Sequence, residues 1–165
     1  MKTVAVASAG RDLGKTTLAC VLIRDMVSSG CRVTAVKARP LGSTGVRVLP
    51  GPGREGSDTH RFSVAGASVQ ALVDFASADA LEGFIRCLDP VPDVLLVEGG
   101  TAAGILAPDL MIYITGGVSG CERPALEAAA DLVIESPPAR EAMERARELA
   151  AALVNPVTGH GEEAG

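Results

Sequence analysis

Apolar positions fall along the chain in two rhythms. Short runs rich in Val, Ile, Leu and Ala recur at residues 3–7, 31–38, 68–75, 91–97, 109–115 and 131–135. Each is the length of a strand, and most lack the polar alternation of a sheet with one wet face. Between them the spacing widens to threes and fours. Leu18, Val21, Leu22 and Met26 mark a helix that ends near Ser28-Ser29-Gly30, where Gly30 suits the residue past a helix end. Further helices are expected at 58–65, 78–88, 124–130 and 138–153. Ser57 and Ser77 stand where an N-cap hydroxyl satisfies the first amides of two of these helices. Residues 39–56, rich in Gly and Pro, read as one long loop. Strands alternating with helices, joined by right-handed crossovers, predict an α/β architecture with a mainly parallel sheet flanked by helices in three layers.

Composition narrows this picture. Of 165 residues, 47% are hydrophobic but only 2% are aromatic, so the core must be built from Val, Leu, Ile and Ala. The length suits one domain, expected over 1–155, with 156–165 as a frayed tail. Net charge is −5 and Lys and Arg are scattered, which gives no nucleic-acid surface. Cys20, Cys31, Cys87 and Cys121 lie far apart without a C-x-x-C pair, and two histidines leave little material for a zinc site. The chain enters its first strand directly, and no apolar run reaches the ~18 residues that span a bilayer. A soluble cytoplasmic protein without membrane partners is the expectation.

The chemistry concentrates where the first strand meets the first helix. Ser8 to Thr17 read S-A-G-R-D-L-G-K-T-T. Strand, glycine-containing loop and helix, in that order, are the context of a phosphate-binding P-loop. Small residues let successive backbone N–H groups converge on an anion, and the helix adds its free amides and the positive end of its dipole. Ala9, Gly10, Arg11, Asp12, Leu13, Gly14, Lys15, Thr16 and Thr17 are therefore the candidate nucleotide-binding residues. Lys15 is placed to reach β- and γ-phosphates, and the Thr16 hydroxyl to ligate Mg²⁺. The usual pattern opens with Gly where this chain has Ala9. A left-handed Ala9 would cost roughly 1–2 kcal/mol, unless Gly10 takes the turn.

A second group belongs at the same edge, because ligands in such folds bind beyond the carboxyl ends of the strands. Glu98 ends an apolar run and precedes Gly99-Gly100, so it is a candidate Mg²⁺ ligand or catalytic acid beside Lys15. Asp58 is a further metal candidate, or simply a favourable charge in a helix's first turn. Lys37 and Arg39 leave the second strand at this edge, either to meet an anionic substrate or as ordinary strand-end charges. Arg11 has three readings: a phosphate contact, a reach to a neighbouring subunit's nucleotide, or a solvated surface charge. His60 and Arg61 receive no chemical role. No N-K-x-D motif reads a guanine base, and Thr115-Gly116-Gly117 is only a positional candidate for a base-side loop.

The P-loop, the strand end V-K-A-R-P and the V-E-G-G strand exit resemble the P-loop family of dethiobiotin synthetase and the cobyrinic-acid amidating enzymes. The segment G-S-D-T-H-R-F-S-V-A-G-A, followed by P-D-V-L-L-V-E-G, is similar to the molybdopterin-guanine dinucleotide biosynthesis protein B (MobB) family. Together these matches cover roughly residues 1–100. The chain differs from MobB in lacking the S-G-S-G-K-T-T loop, and in carrying Ala38-Arg39 where a His follows the strand-end Lys. The resemblance implies a P-loop NTPase fold and GTP binding with Mg²⁺. It also implies slow hydrolysis at most, dimerisation, and assistance to a nucleotidyltransferase that attaches GMP to molybdopterin. Resemblance to dethiobiotin synthetase implies instead an ATP-dependent ligase that activates a small carboxylate or carbamate. In that case the 39–56 loop would be a lid, where the first reading makes it a protein-docking surface.

Overall fold

Among the described residues, seven strands form one sheet in the order β3-β4-β2-β5-β1-β6-β7. They are β1 (Lys2–Ser8), β2 (Val33–Pro40), β3 (Val46–Pro50), β4 (Val69–Phe75), β5 (Val94–Glu98), β6 (Leu110–Thr115) and β7 (Leu132–Glu135). The computed structural model describes residues 1–41, 45–116 and 123–155. All pairings are parallel except β3 with β4, which is antiparallel. Among the described residues the helices are α1 (Lys15–Ser28), α2 (Asp58–Val64), α3 (Ala78–Arg86), α4 (Gly100–Leu106), α5 (Pro124–Ala128) and α6 (Arg140–Val154).

Alternation along the central strands sends side chains into different cores. Val4 and Val6 of β1, with Val94 and Leu96 of β5, pack under α1, α2 and α6. Leu95 and Val97 pack with Leu81 of α3 and Ala102 of α4 on the opposite face, while Ala5 and Ala7 meet Ala103 and Tyr113. Both faces are therefore buried, which is why these strands read as unbroken apolar runs. Arg147 of α6 pairs with Asp25 of α1 at 2.5 Å and ties the two long helices together.

The 39–56 segment departs from the loop expectation. The short alternation V-R-V-L between glycines forms β3, whose residues 46–50 lie opposite 75–71 of β4. A five-residue edge strand at the margin of a parallel sheet carries too little periodicity to stand out from the Gly/Pro-rich sequence around it. The small helix α4, directly after Gly99, was likewise absent from the sequence expectations. Ser57 and Ser77 do cap their helices, accepting hydrogen bonds from the His60 and Ala80 amides.

Candidate functional site

The crevice lies at the carboxyl edge of β1, β2 and β5, on the α1 face. Period-two alternation decides which side chains reach it. Ala35 and Leu96 point under α1, so Lys37 and Glu98, two residues further on, point the same way. The two are register partners on adjacent strands. Ser8 follows the same parity on β1 after Val4 and Val6.

Gly14 N-caps α1 with φ 93°, a conformation that disfavours any Cβ. Asp12, at φ 56°, supplies the loop's other left-handed residue. Neither Ala9 nor Gly10 takes the left-handed turn, which falls instead on Asp12, a residue type that tolerates this region better than Ala does. Leu13 is buried in the core beneath α1 and anchors the loop, while the Ala9 amide donates to the Ile114 carbonyl. Arg11, Asp12, Gly14, Lys15, Thr16 and Thr17 line the crevice itself, whose volume is about 580 Å³. Gly10 contributes its carbonyl to Lys15.

Lys15 Nζ donates to Ser8 Oγ at 2.5 Å and to the Gly10 carbonyl at 2.6 Å, so its ammonium bridges the two sides of the loop. Burial pulls its pKa below the ordinary lysine value, against the opposing pull of Glu98. Opposite it, three oxygens converge. Thr16 Oγ1 lies 2.9 Å from Asp58 Oδ1 and 2.8 Å from Glu98 Oε2, and its single proton can satisfy only one carboxylate at a time. Lys37 Nζ holds the remaining oxygens, 2.9 Å from Asp58 Oδ2 and in contact with Glu98 Oε1. Burial pushes the Asp58 carboxyl up, but Lys37 and Thr16 draw it down further, to a net position below the usual carboxylate value. Burial lowers the Lys37 ammonium, but Glu98 and Asp58 together raise it to a net position above the ordinary lysine value.

Sequence reasoning named Thr16, Asp58 and Glu98, which the structure brings together. Arg11, Lys37 and Arg39 line the same crevice. Arg61, which received no chemical role, also lines it, and its Nη2 donates to Thr17 Oγ1 at 3.0 Å. The three-residue offset from Asp58, close to one helical turn, is the signal that could have found it. His60 accepts a hydrogen bond from the Gly56 amide through Nδ1 and is a loop contact. Gly116 ends β6 at φ 92°, and Gly117 lies outside the described residues.

Hard oxygens at this spacing suit Mg²⁺, which takes one or two carboxylates and completes its shell with phosphate oxygens and water. Thr16, Asp58 and Glu98 are the residues that would hold it. Among the described residues no cluster of three or more His, Cys, Asp and Glu side chains could bind a metal ion, so phosphate oxygens would be needed to complete the set. No helix among those residues is long and apolar enough to cross a membrane.

A mostly parallel sheet flanked by helices, with this loop between β1 and α1, defines a P-loop NTPase fold. No family model matches the chain, and no curated protein matches it. Among solved structures it is similar to LpxK from Aquifex aeolicus in complex with ATP, at 18% identity and a TM-score of 0.53 over 83% of this chain. The chain spans about half the length of that protein, covering 48% of it. A de novo designed protein of P-loop NTPase fold aligns over 99% of this chain and 100% of its own length, at 13% identity and TM-score 0.44.

Proposed function

We propose that the protein binds a purine nucleoside triphosphate with Mg²⁺ and hydrolyses it slowly, with GTP favoured, as an accessory to molybdopterin-guanine dinucleotide biosynthesis. The observation that carries the nucleotide reading is the convergence of Thr16, Asp58 and Glu98 opposite Lys15, at the amino end of α1. The segment resembling MobB, residues 56–67, supplies one of these carboxylates, Asp58, and this supports the accessory role over a generic P-loop.

Each residue's part follows from its chemistry. Backbone amides between Gly10 and Thr16 donate to the phosphate oxygens from positions fixed before binding, so little reorganisation is needed. Lys15 neutralises charge at the β- and γ-oxygens as a compact ammonium. Thr16 and Glu98 orient the metal side, and Asp58 assists them. Mg²⁺, when bound, neutralises phosphate charge and polarises the γ-phosphoryl group. Phosphoryl transfer depends mostly on such positioning and electrostatics. A nucleotidyltransferase partner and a homodimer complete the accessory reading.

One observation favours a second reading, an ATP-dependent ligase similar to dethiobiotin synthetase. A cavity of about 300 Å³ lined by Lys37, Arg39, Ser57, Thr59 and Leu72 adjoins the crevice and has room for a small carboxylate acceptor. LpxK was solved with ATP, but a fold likeness at this identity does not choose the base. Calorimetric titration with GTP and with ATP in Mg²⁺, beside Lys15→Ala, tests both readings. Preference for GTP supports the accessory role and preference for ATP supports the ligase. Unchanged triphosphate affinity in folded Lys15→Ala would overturn the P-loop assignment itself.

A further inference from the structure

Lys37 sits where its charge has a second use. Its ammonium bonds Asp58 Oδ2 at 2.9 Å and Glu98 Oε1, while Thr16 Oγ1 takes the other oxygen of each carboxylate at 2.9 and 2.8 Å. The four side chains close a ring, and each comes from a different element: β2, the first turn of α2, β5 and α1. Glu98 is 1% exposed and Lys37 22%, so a cation beside Glu98 is a necessity of burial rather than a surface ornament. The lysine is held from its own strand, since Lys37 and Glu98 are register partners across β2 and β5.

A divalent ion at Thr16, Asp58 and Glu98 seeks the same carboxylate charge that Lys37 already neutralises. Two positive groups cannot share that charge without repelling each other, and Mg²⁺ with only one or two carboxylates gains little over its hydration shell. Phosphate oxygens change the balance, because they add ligands and negative charge from the opposite side. The displaced ammonium also has a destination. Lys37 and Arg39 line the neighbouring cavity of about 300 Å³ as well as the crevice, so a short swing keeps the lysine among polar groups and water.

We propose that Lys37 and a divalent cation compete for Asp58 and Glu98, so that Lys37 makes metal binding conditional on nucleotide phosphates. The proposal rests on the metal-assisted nucleotide reading above, yet its main test needs no nucleotide. Mn²⁺ binding to the full chain, followed by electron paramagnetic resonance in the absence of nucleotide, is compared for wild type, Lys37→Met and Lys37→Arg. Lys37→Met should bind Mn²⁺ about ten-fold tighter than wild type, a difference of about 1.4 kcal/mol. Lys37→Arg should stay close to wild type, and adding Asp58→Asn to Lys37→Met should remove the gain. Equal Mn²⁺ affinity in wild type and a folded Lys37→Met overturns the proposal.

Should Lys37→Met fail to fold, the wild type still decides. The ¹⁵Nζ resonance of Lys37 should shift as Mg²⁺ is raised to saturation, and a resonance that never moves overturns the competition. Loss of the nucleotide reading would appear separately, as wild-type protein that binds neither GTP nor ATP.

Discussion

The Thr16 hydroxyl lies 2.8 Å from Glu98 Oε2, so the first turn of α1 and the last residue of β5 are joined across the crevice floor. Glu98→Gln keeps this hydrogen-bonding shape while deleting the charge. Nucleotide affinity measured with Mg²⁺ should fall roughly 10–100-fold, the range seen when a group that orients a bound metal is changed. Affinity measured in chelator should fall much less. Equal losses with and without metal would remove Glu98 from the metal side of the site.

Gly99 fixes where that carboxylate stands. A Cβ at Gly99 would lie 2.3 Å from the Ala38 carbonyl oxygen, a backbone atom with no room to yield. Gly99→Ala should therefore push β5 and β2 apart at their carboxyl ends, at a cost of about 3 kcal/mol in denaturant unfolding. The same movement displaces Glu98 from Thr16 on the metal side of the site, so the Mg²⁺ dependence of nucleotide binding should weaken together with stability. A variant as stable as wild type would show that the strand ends relax freely.

Most of this arrangement was legible in the chain because its signals are local. The phosphate loop is contiguous, the strands are continuous apolar runs, and Ser57 caps α2 beside its own Asp58. What escaped depends on contacts between distant segments. Lys37 had no decisive local signature, since its role exists only through pairing with Glu98, 61 residues away. Thr16 and Asp58 were each legible as metal candidates, but the contact between them, 42 residues apart in sequence, was not. The strand β3 is defined by its antiparallel register against β4 rather than by its own pattern. The left-handed turn falls on Asp12, where composition alone pointed toward Gly10.

Arg39 and Asp74 form a half-buried ion pair next to the site. Arg39 Nε and Nη2 donate to the two oxygens of Asp74 at 2.8 and 3.1 Å, and Asp74 is 2% exposed while Arg39 is half exposed. Arg39→Ala leaves that carboxylate without its cation, which should cost about 2–3 kcal/mol in denaturant unfolding. Arg39→Ala combined with Asp74→Leu should recover much of the loss, because no buried charge remains. Failure of the double variant to recover would mean that Arg39 stabilises β2 and β4 by its packed stem and not by its charge.

Far from the crevice, Asp109 closes the bottom of the sheet and gives stability an acid-side dependence. Its Oδ2 accepts the Thr3 amide at 2.8 Å and its Oδ1 the Lys2 ammonium at 2.9 Å. The Thr3 amide chiefly, with Lys2, holds the Asp109 carboxyl below the ordinary carboxylate value. A lowered folded pKa means that the unfolded chain binds the proton more readily. The contribution is therefore complete above about pH 4, the unfolded value, and is lost as pH falls through the folded one. Asp109→Ala should lose about 1 kcal/mol at neutral pH, the worth of such hydrogen bonds. Urea unfolding of wild type and variant across the acid range should show the two stabilities converging below about pH 4. A gap that stays constant down to full protonation would show that Asp109 acts by packing and not as a charged acceptor.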